Sequence, residues 1–144
     1  TLERHRMHSM KLHGPWMLFA DKDQSDPERV KLPGQLTLGG HPVCSPCVLR
    51  RRFGTPTGLT DSDHVILVVQ GISHSAIASL ESQTLGDIAR ESTIGFDITP
   101  FLTGNNFVQI AFRESAESVG VGEVRLDIAD DTEIRNTGYP VINP

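Results

Sequence analysis

Along most of the chain, apolar and polar residues alternate over short runs that end in clusters of Gly, Pro, Asp and Ser. Val108, Ile110 and Phe112 fall on one face of an extended segment and Gln109, Ala111 and Arg113 on the other, the period of two expected of a strand with one buried side. Val124, Leu126 and Ile128 alternate in the same way with Glu123, Arg125 and Asp127, which predicts a last strand with one wet face. Val65-Ile66-Leu67-Val68-Val69 is apolar on both faces, so a central strand is expected there, covered by an opposing sheet and by a packed loop. Taken together, the runs predict strands over 16–20, 30–32, 36–38, 48–53, 65–70, 76–80, 107–112 and 121–128. Their separators, among them 21–27, 33–34, 39–40 and 54–58, carry turn residues. Between residues 95 and 112 the chain reads as strand, turn and strand. Thr99 is placed to cap a single helical turn that Pro100 opens, and Gly104-Asn105-Asn106 reverses the chain. Helical periodicity is almost absent, so about eight strands at this spacing predict an all-β sandwich. The first dozen residues and residues 130–144 are weakly patterned and are expected to wrap the surface or stay mobile.

Composition narrows the function more than the fold. At 144 residues and 15.8 kDa the chain has the size of one ordinary domain, long enough to bury roughly 68–70% of its unfolded surface without metal or disulfide support. A single sandwich over 1–144 is therefore expected, with no internal repeat. No apolar run approaches the ~20 residues that span a bilayer, so no membrane partner is expected. A net charge of −5 and a pI near 5.6 oppose nucleic acid as a partner, because phosphate contacts need a basic footprint. Two cysteines do not make a disulfide scaffold, and no Asn-x-Ser/Thr acceptor occurs. Thr1-Leu2-Glu3-Arg4-His5-Arg6 has no apolar core of a signal, so a signal was removed or never existed, and the compartment stays open.

Several segments recur in an order that carries a resemblance. They are Leu12-x-Gly14-x-Trp16, Val30-x-Leu32-Pro33-Gly34, Arg50-Arg51-Arg52-Phe53, the runs from Val65 to Gly71 and Ala76 to Gly86, and Phe96-Asp97-Ile98-Thr99-Pro100-Phe101-Leu102 with the strand to Phe112. In this order, over about residues 12–128, the chain resembles the N-terminal sugar-binding domain of family 2 glycoside hydrolases, the β-galactosidase and β-glucuronidase family. The resemblance implies a jelly-roll β-sandwich of the galactose-binding-domain type and a sugar-binding role without hydrolysis. The family's catalytic glutamates lie on a separate barrel, for which 144 residues leave no room. No cofactor is expected. Two departures bear on function. The segment Leu80-Glu81-Ser82-Gln83-Thr84-Leu85-Gly86 lacks the family's Asn-Gly turn, and only 113–122 separates the strand ending at Phe112 from the next, where family enzymes often carry a longer polar loop.

Cys44-Ser45-Pro46-Cys47 is a CxxC, but a strand rather than a helix follows it, and zinc would need two more ligands from His41, His13, His64 or His74. Two ordinary thiols at a strand entry is the preferred reading. Asp21-x-Asp23-x-Ser25-Asp26 begins like a calcium loop and then fails, with Asp26 where glycine and Leu32 where a bidentate glutamate belong. A second acidic cluster, Asp127, Asp130, Asp131 and Glu133, is also read as a solvated turn ahead of a calcium site. Arg50-Arg51-Arg52 suits an anion or acidic-polymer site; on a strand Arg50 and Arg52 share one face, and Arg51 lies opposite with Leu49 and Phe53, its stem snorkelling over apolar surface. His5, His8 and His13 are read as surface histidines. An aromatic sugar platform looks scarce: Trp16 and most of the six phenylalanines occupy core-pattern positions and Tyr139 lies in the tail. If a ligand site exists, the polar loops should supply it, through His74, Ser75, Glu81, Gln83 and Glu91, because sandwich loops cluster at the sheet ends. Carbohydrate or another protein is the expected partner, and a structural or protein-interaction domain without a sugar ligand is the alternative.

Overall fold

A computed structural model describes residues 7–19, 27–38, 41–42, 47–112 and 119–144. Among them two sheets, antiparallel except for the β11–β15 pair, form a β-sandwich. One sheet has the order β1 (His8–Lys11), β14 (Glu123–Ala129), β8 (His64–Gln70), β11 (Thr93–Asp97) and β15 (Val141–Ile142). The other has the order β10 (Gln83–Ile88), β9 (Ala76–Leu80), β12 (Asn105–Phe112), β7 (Cys47–Gly54), β2 (Trp16–Phe19) and β3 (Glu28–Val30). Two short pairs complete it: β4 (Gly34–Gln35) with β13 (Gly120–Val121), and β5 (Thr37–Leu38) with β6 (His41–Pro42).

The core forms where the inward positions of the two sheets meet. Trp16, Leu18, Leu49, Leu67, Phe96 and Ile110 are fully buried, and Trp16 Nε1 donates to the Leu12 carbonyl at 2.7 Å, so its one polar atom is satisfied. The continuous apolar run of β8 splits as expected. Val65, Leu67 and Val69 face the main core, while Ile66 and Val68 face outward into a second cluster with Ala129, Ile134, Tyr139 and Val141.

The structure corrects the sequence reading in five places. β10 is a strand where none was expected. A bulge between Thr84 and Gly86 sets the buried Leu85 and Ile88 three positions apart, which breaks the period of two. β1 pairs antiparallel with β14 as an edge strand, although its four side chains are all exposed and give no pattern. The C-terminal segment is the loop that covers β8: after a 3-10 turn at Glu133–Asn136 it adds β15 to the sheet edge, parallel to β11. The face of β14 expected to be wet is therefore partly covered, and Asp127 is completely buried. Finally, Thr99 does not cap the turn it begins. The N-cap position of Thr99–Phe101 is Ile98; Asp97 Oδ1 accepts from the Thr99 N–H at 3.1 Å and the Thr99 hydroxyl at 2.6 Å, and that hydroxyl in turn accepts the Val65 N–H at 2.9 Å.

Candidate functional site

The outward positions of the six-stranded sheet form the most chemically differentiated surface. Strand register places Arg29, Met17, Arg50, Gln109, Ser79 and Thr84 in one row across all six strands. One pleat further along, Arg52 lies opposite Phe107. This surface arises because inward neighbours such as Leu18, Leu49, Ile110 and Ala78 are buried, so alternation turns the residues between them to the outside.

On this face, arginine and phenylalanine interleave. The Arg50 guanidinium carbon lies 4.9 Å from the Phe19 ring centroid and 5.9 Å from that of Phe107, and Arg52 lies 5.5 Å from Phe107. Arg50 Nε also donates to Gln109 Oε1 at 2.7 Å. Stacking and this hydrogen bond orient the Arg50 plane and leave its Nη edge for other partners. Arg51 faces the other way, as expected of a snorkelling residue. It donates from Nη1 to the Arg52 carbonyl at 3.0 Å, and burial lowers its pKa.

Beside the row, displaced along β7 and β12, Arg52, Glu81, Asn105, Asn106 and Phe107 line an open cleft of about 170 Å³. This is below the 300–1,000 Å³ of enclosing small-molecule pockets, so it suits a shallow contact. Asn106 builds the floor: it is fully buried, accepts the Thr103 N–H at 2.8 Å and donates to Thr55 Oγ1 at 3.0 Å and the Phe53 carbonyl at 3.3 Å. Glu81 stands at the turn between β9 and β10 with φ of 54°.

The five residues expected to form a loop site fall at two ends of the sandwich. Glu81 and Gln83 flank the β9–β10 turn beside the cleft. His74, Ser75 and Glu91 lie at the far end of β9, where Glu91 N–H donates to the Ile72 carbonyl at 2.8 Å and Ser75 borders a largely apolar cleft of about 480 Å³ with Ile88, Ile94 and Pro140. Six residue steps, from Ser75 along β9 to Glu81, separate the two groups, roughly 20 Å at about 3.3 Å per residue. Missed by the sequence reading were Phe19 and Phe107. Three phenylalanines, Phe53, Phe96 and Phe112, are buried, but Phe19, Phe101 and Phe107 are half-exposed. The signal was available, since Phe107 has the parity of Gln109 and not of Val108.

Other candidate chemistry disperses. Cys47 is buried at the start of β7, while Cys44, His5 and the Asp21–Asp26 motif lie outside the described residues. The Asp127–Glu133 acids do not converge on a common point. Asp130 Oδ1 accepts the Glu133 N–H at 2.8 Å and Glu133 Oε1 accepts the Asp130 N–H at 2.9 Å, a reciprocal cap. Asp127 accepts from Ser9 Oγ at 2.6 Å, Arg125 Nε at 3.0 Å and Tyr139 Oη at 2.6 Å. Asp131 contacts His64 Nε2 at 2.6 Å, and His64 Nδ1 contacts Asp97 at 2.7 Å. Among the described residues no group of three or more His, Cys, Asp or Glu is placed to hold a metal ion. No helix there is long and apolar enough to cross a membrane, which does not bear on β-barrels.

Neither a protein-family model nor a curated protein matches the chain. Solved structures do. Bifidobacterium dentium β-glucuronidase aligns with a TM-score of 0.69 at 18% identity over 86% of this chain and 30% of its own. Bacteroides uniformis β-glucuronidase aligns with a TM-score of 0.66 at 17% identity over 85% and 18%. A putative β-galactosidase from Bacteroides fragilis gives 0.68 at 14% identity over 86% and 23%. The chain has the fold of the N-terminal sandwich domain of family 2 glycoside hydrolases. In each comparison this sandwich spans less than a third of the matched glycosidase.

Proposed function

We propose that the chain is a non-catalytic carbohydrate-binding module and that its binding surface is the outer face of the six-stranded sheet. The observation that carries this reading is the strip in which the Arg50 and Arg52 guanidinium carbons each lie within 5.9 Å of the Phe107 ring centroid, bordered by Gln109 and Ser79. Glycan recognition joins flat rigid surface with a few oriented polar groups, and this strip supplies both. The likeness to glycosidase sandwiches that cover only part of their parent chains supports a role apart from bond cleavage. Glu81 belongs to this surface through the cleft it shares with Arg52 and Phe107.

The test is a titration of neutral and charged oligosaccharides followed by NMR chemical-shift mapping. Saturable shifts centred on β7 and β12, lost in Phe107→Ala, are expected. Silence across the panel would overturn the reading in favour of a structural or protein-interaction domain, and saturable shifts confined to 74–75 and 91–92 would move the site to the other end of the sandwich.

A further inference from the structure

Resting on the carbohydrate reading above, we infer that the glycan this face takes is anionic, carrying carboxylate or sulfate groups that pair with Arg50 and Arg52. Two guanidiniums already cover the Phe107 ring, so the face presents N–H edges rather than bare aromatic area. A neutral sugar gains little from such edges, whereas a planar or tetrahedral oxyanion fits the fork of donors on a guanidinium.

The charges around the strip agree. Arg29, Arg50 and Arg52 project from this face, and among the described residues none of them pairs with a carboxylate. Arg125, by contrast, is committed to Glu123 at 2.9 Å and Asp127 at 3.0 Å on the other sheet. Arg29 and Arg52 are exposed and Arg50 is partly so, in a chain of net charge −5. Two described acids stand at the margin of the strip: Glu81 borders the cleft, and Asp87 pairs in register with Ile77 on the outermost strand β10. β10 lies three strand spacings from β7 in the sheet order, roughly 14 Å at about 4.8 Å each. The ligand is thus oriented with its anionic groups over β7 and its uncharged hydroxyls toward Gln109, Ser79 and Thr84. The chain's overall negative charge opposes long-range attraction, so recognition depends on close pairing and weakens with salt.

The experiment is isothermal titration of the whole chain with matched polymers: polygalacturonate against its methyl ester, and dextran sulfate against dextran, with polyglutamate as a polyanion that is not a sugar. Binding to polygalacturonate, to dextran sulfate or to both is expected, at least about tenfold tighter than to the uncharged parent, and the two arms tell carboxylate from sulfate. It should weaken about tenfold as ionic strength rises from 0.01 to 0.15 M, where the Debye length shortens from about 30 to about 8 Å. Arg50→Gln and Arg52→Gln should each lower the affinity; Arg52 is exposed, so its variant and the salt series decide the matter even if Arg50→Gln folds poorly. Equal binding of charged and neutral polymers would overturn the anionic assignment and leave the carbohydrate reading standing. No binding to any polysaccharide would overturn both, and polyglutamate binding as tightly as the anionic polysaccharides would overturn recognition of a glycan.

Discussion

Tyr139→Phe is the sharpest probe of how the C-terminal segment is held. The Tyr139 hydroxyl donates to Asp127 Oδ2 at 2.6 Å, and Asp127 is fully buried. Its other two donors, Ser9 Oγ and Arg125 Nε, both go to Oδ1. Burial, and then the hydrogen bond and charge of Asp127, push the phenol above its ordinary pKa, so it stays a donor throughout the working pH range. The phenylalanine variant keeps the ring against Gly95 and near Arg125, whose guanidinium carbon lies 5.7 Å from the ring centroid, but leaves Oδ2 without a donor among the described residues. A lost hydrogen bond to a buried charged group costs about 1.5–3 kcal/mol. With a urea m-value of about 2 kcal/mol/M, the midpoint should fall by about 1 M. The double variant with Asp127→Asn should cost less than the sum of the two singles, because both changes remove the same contact. A Tyr139→Phe midpoint within about 0.2 M of the parent's would refute the view that this bond fastens the segment.

Three further outcomes follow from the geometry. His64 is held between Asp131 and Asp97, and these carboxylates raise its pKa, the Asp131 hydrogen bond most. Its stabilising charge is fully present below the unfolded value near pH 6.5 and is lost as pH rises through the higher folded value, so urea midpoints should fall between pH 6 and pH 9 and this component should vanish in His64→Gln. Gly95→Ala would put a Cβ 2.6 Å from both Ile66 Cγ2 and Tyr139 Cε1; Ile66 is packed in place, so Tyr139 must move, and thermal unfolding should show a loss of about 1–3 kcal/mol with a changed Tyr139 ring environment by NMR. Gly122→Ala meets the Gln70 backbone carbonyl at 2.5 Å, whereas Gly104→Ala meets nothing within 4 Å, so calorimetry should find the first strongly destabilising and the second within about 1 kcal/mol of the parent.

Most of the sandwich was legible because burial of one face imposes a period of two. β7, β9, β12 and β14 carry it, β8 shows instead the continuous apolar run of a strand covered on both faces, and the predicted spans of all five agree with the observed ones within about two residues. What escaped were elements whose reason to be strands lies elsewhere in the chain. β10 hides behind its bulge, and β1 and β15 exist through backbone pairing with β14 and β11, which leaves no trace in their own short sequences. The buried Asp127 was misread for a related reason: on β14 it sits at a polar parity, and its partners Ser9 and Tyr139 lie 118 and 12 residues away along the chain.

The candidate site was half legible for a reason that also shapes its chemistry. Strand parity alone puts Arg50 and Arg52 on one face, but whether two arginines make a surface for a ligand or a solvated edge depends on what stands across the sheet. That information lies in register: Phe107 opposite Arg52 and Gln109 opposite Arg50, fixed by eight consecutive pairs between β7 and β12. A one-residue slip would exchange this face for the buried one, so the same packing of Leu49, Val108 and Ile110 that stabilises the core also determines which side chains border the guanidiniums. The polar loops were the expected site because sandwich loops cluster at the ends of the sheets. The sheet face offers what those loops do not, a row of side chains whose spacing is set by backbone hydrogen bonds, and therefore a surface already organised before a ligand arrives.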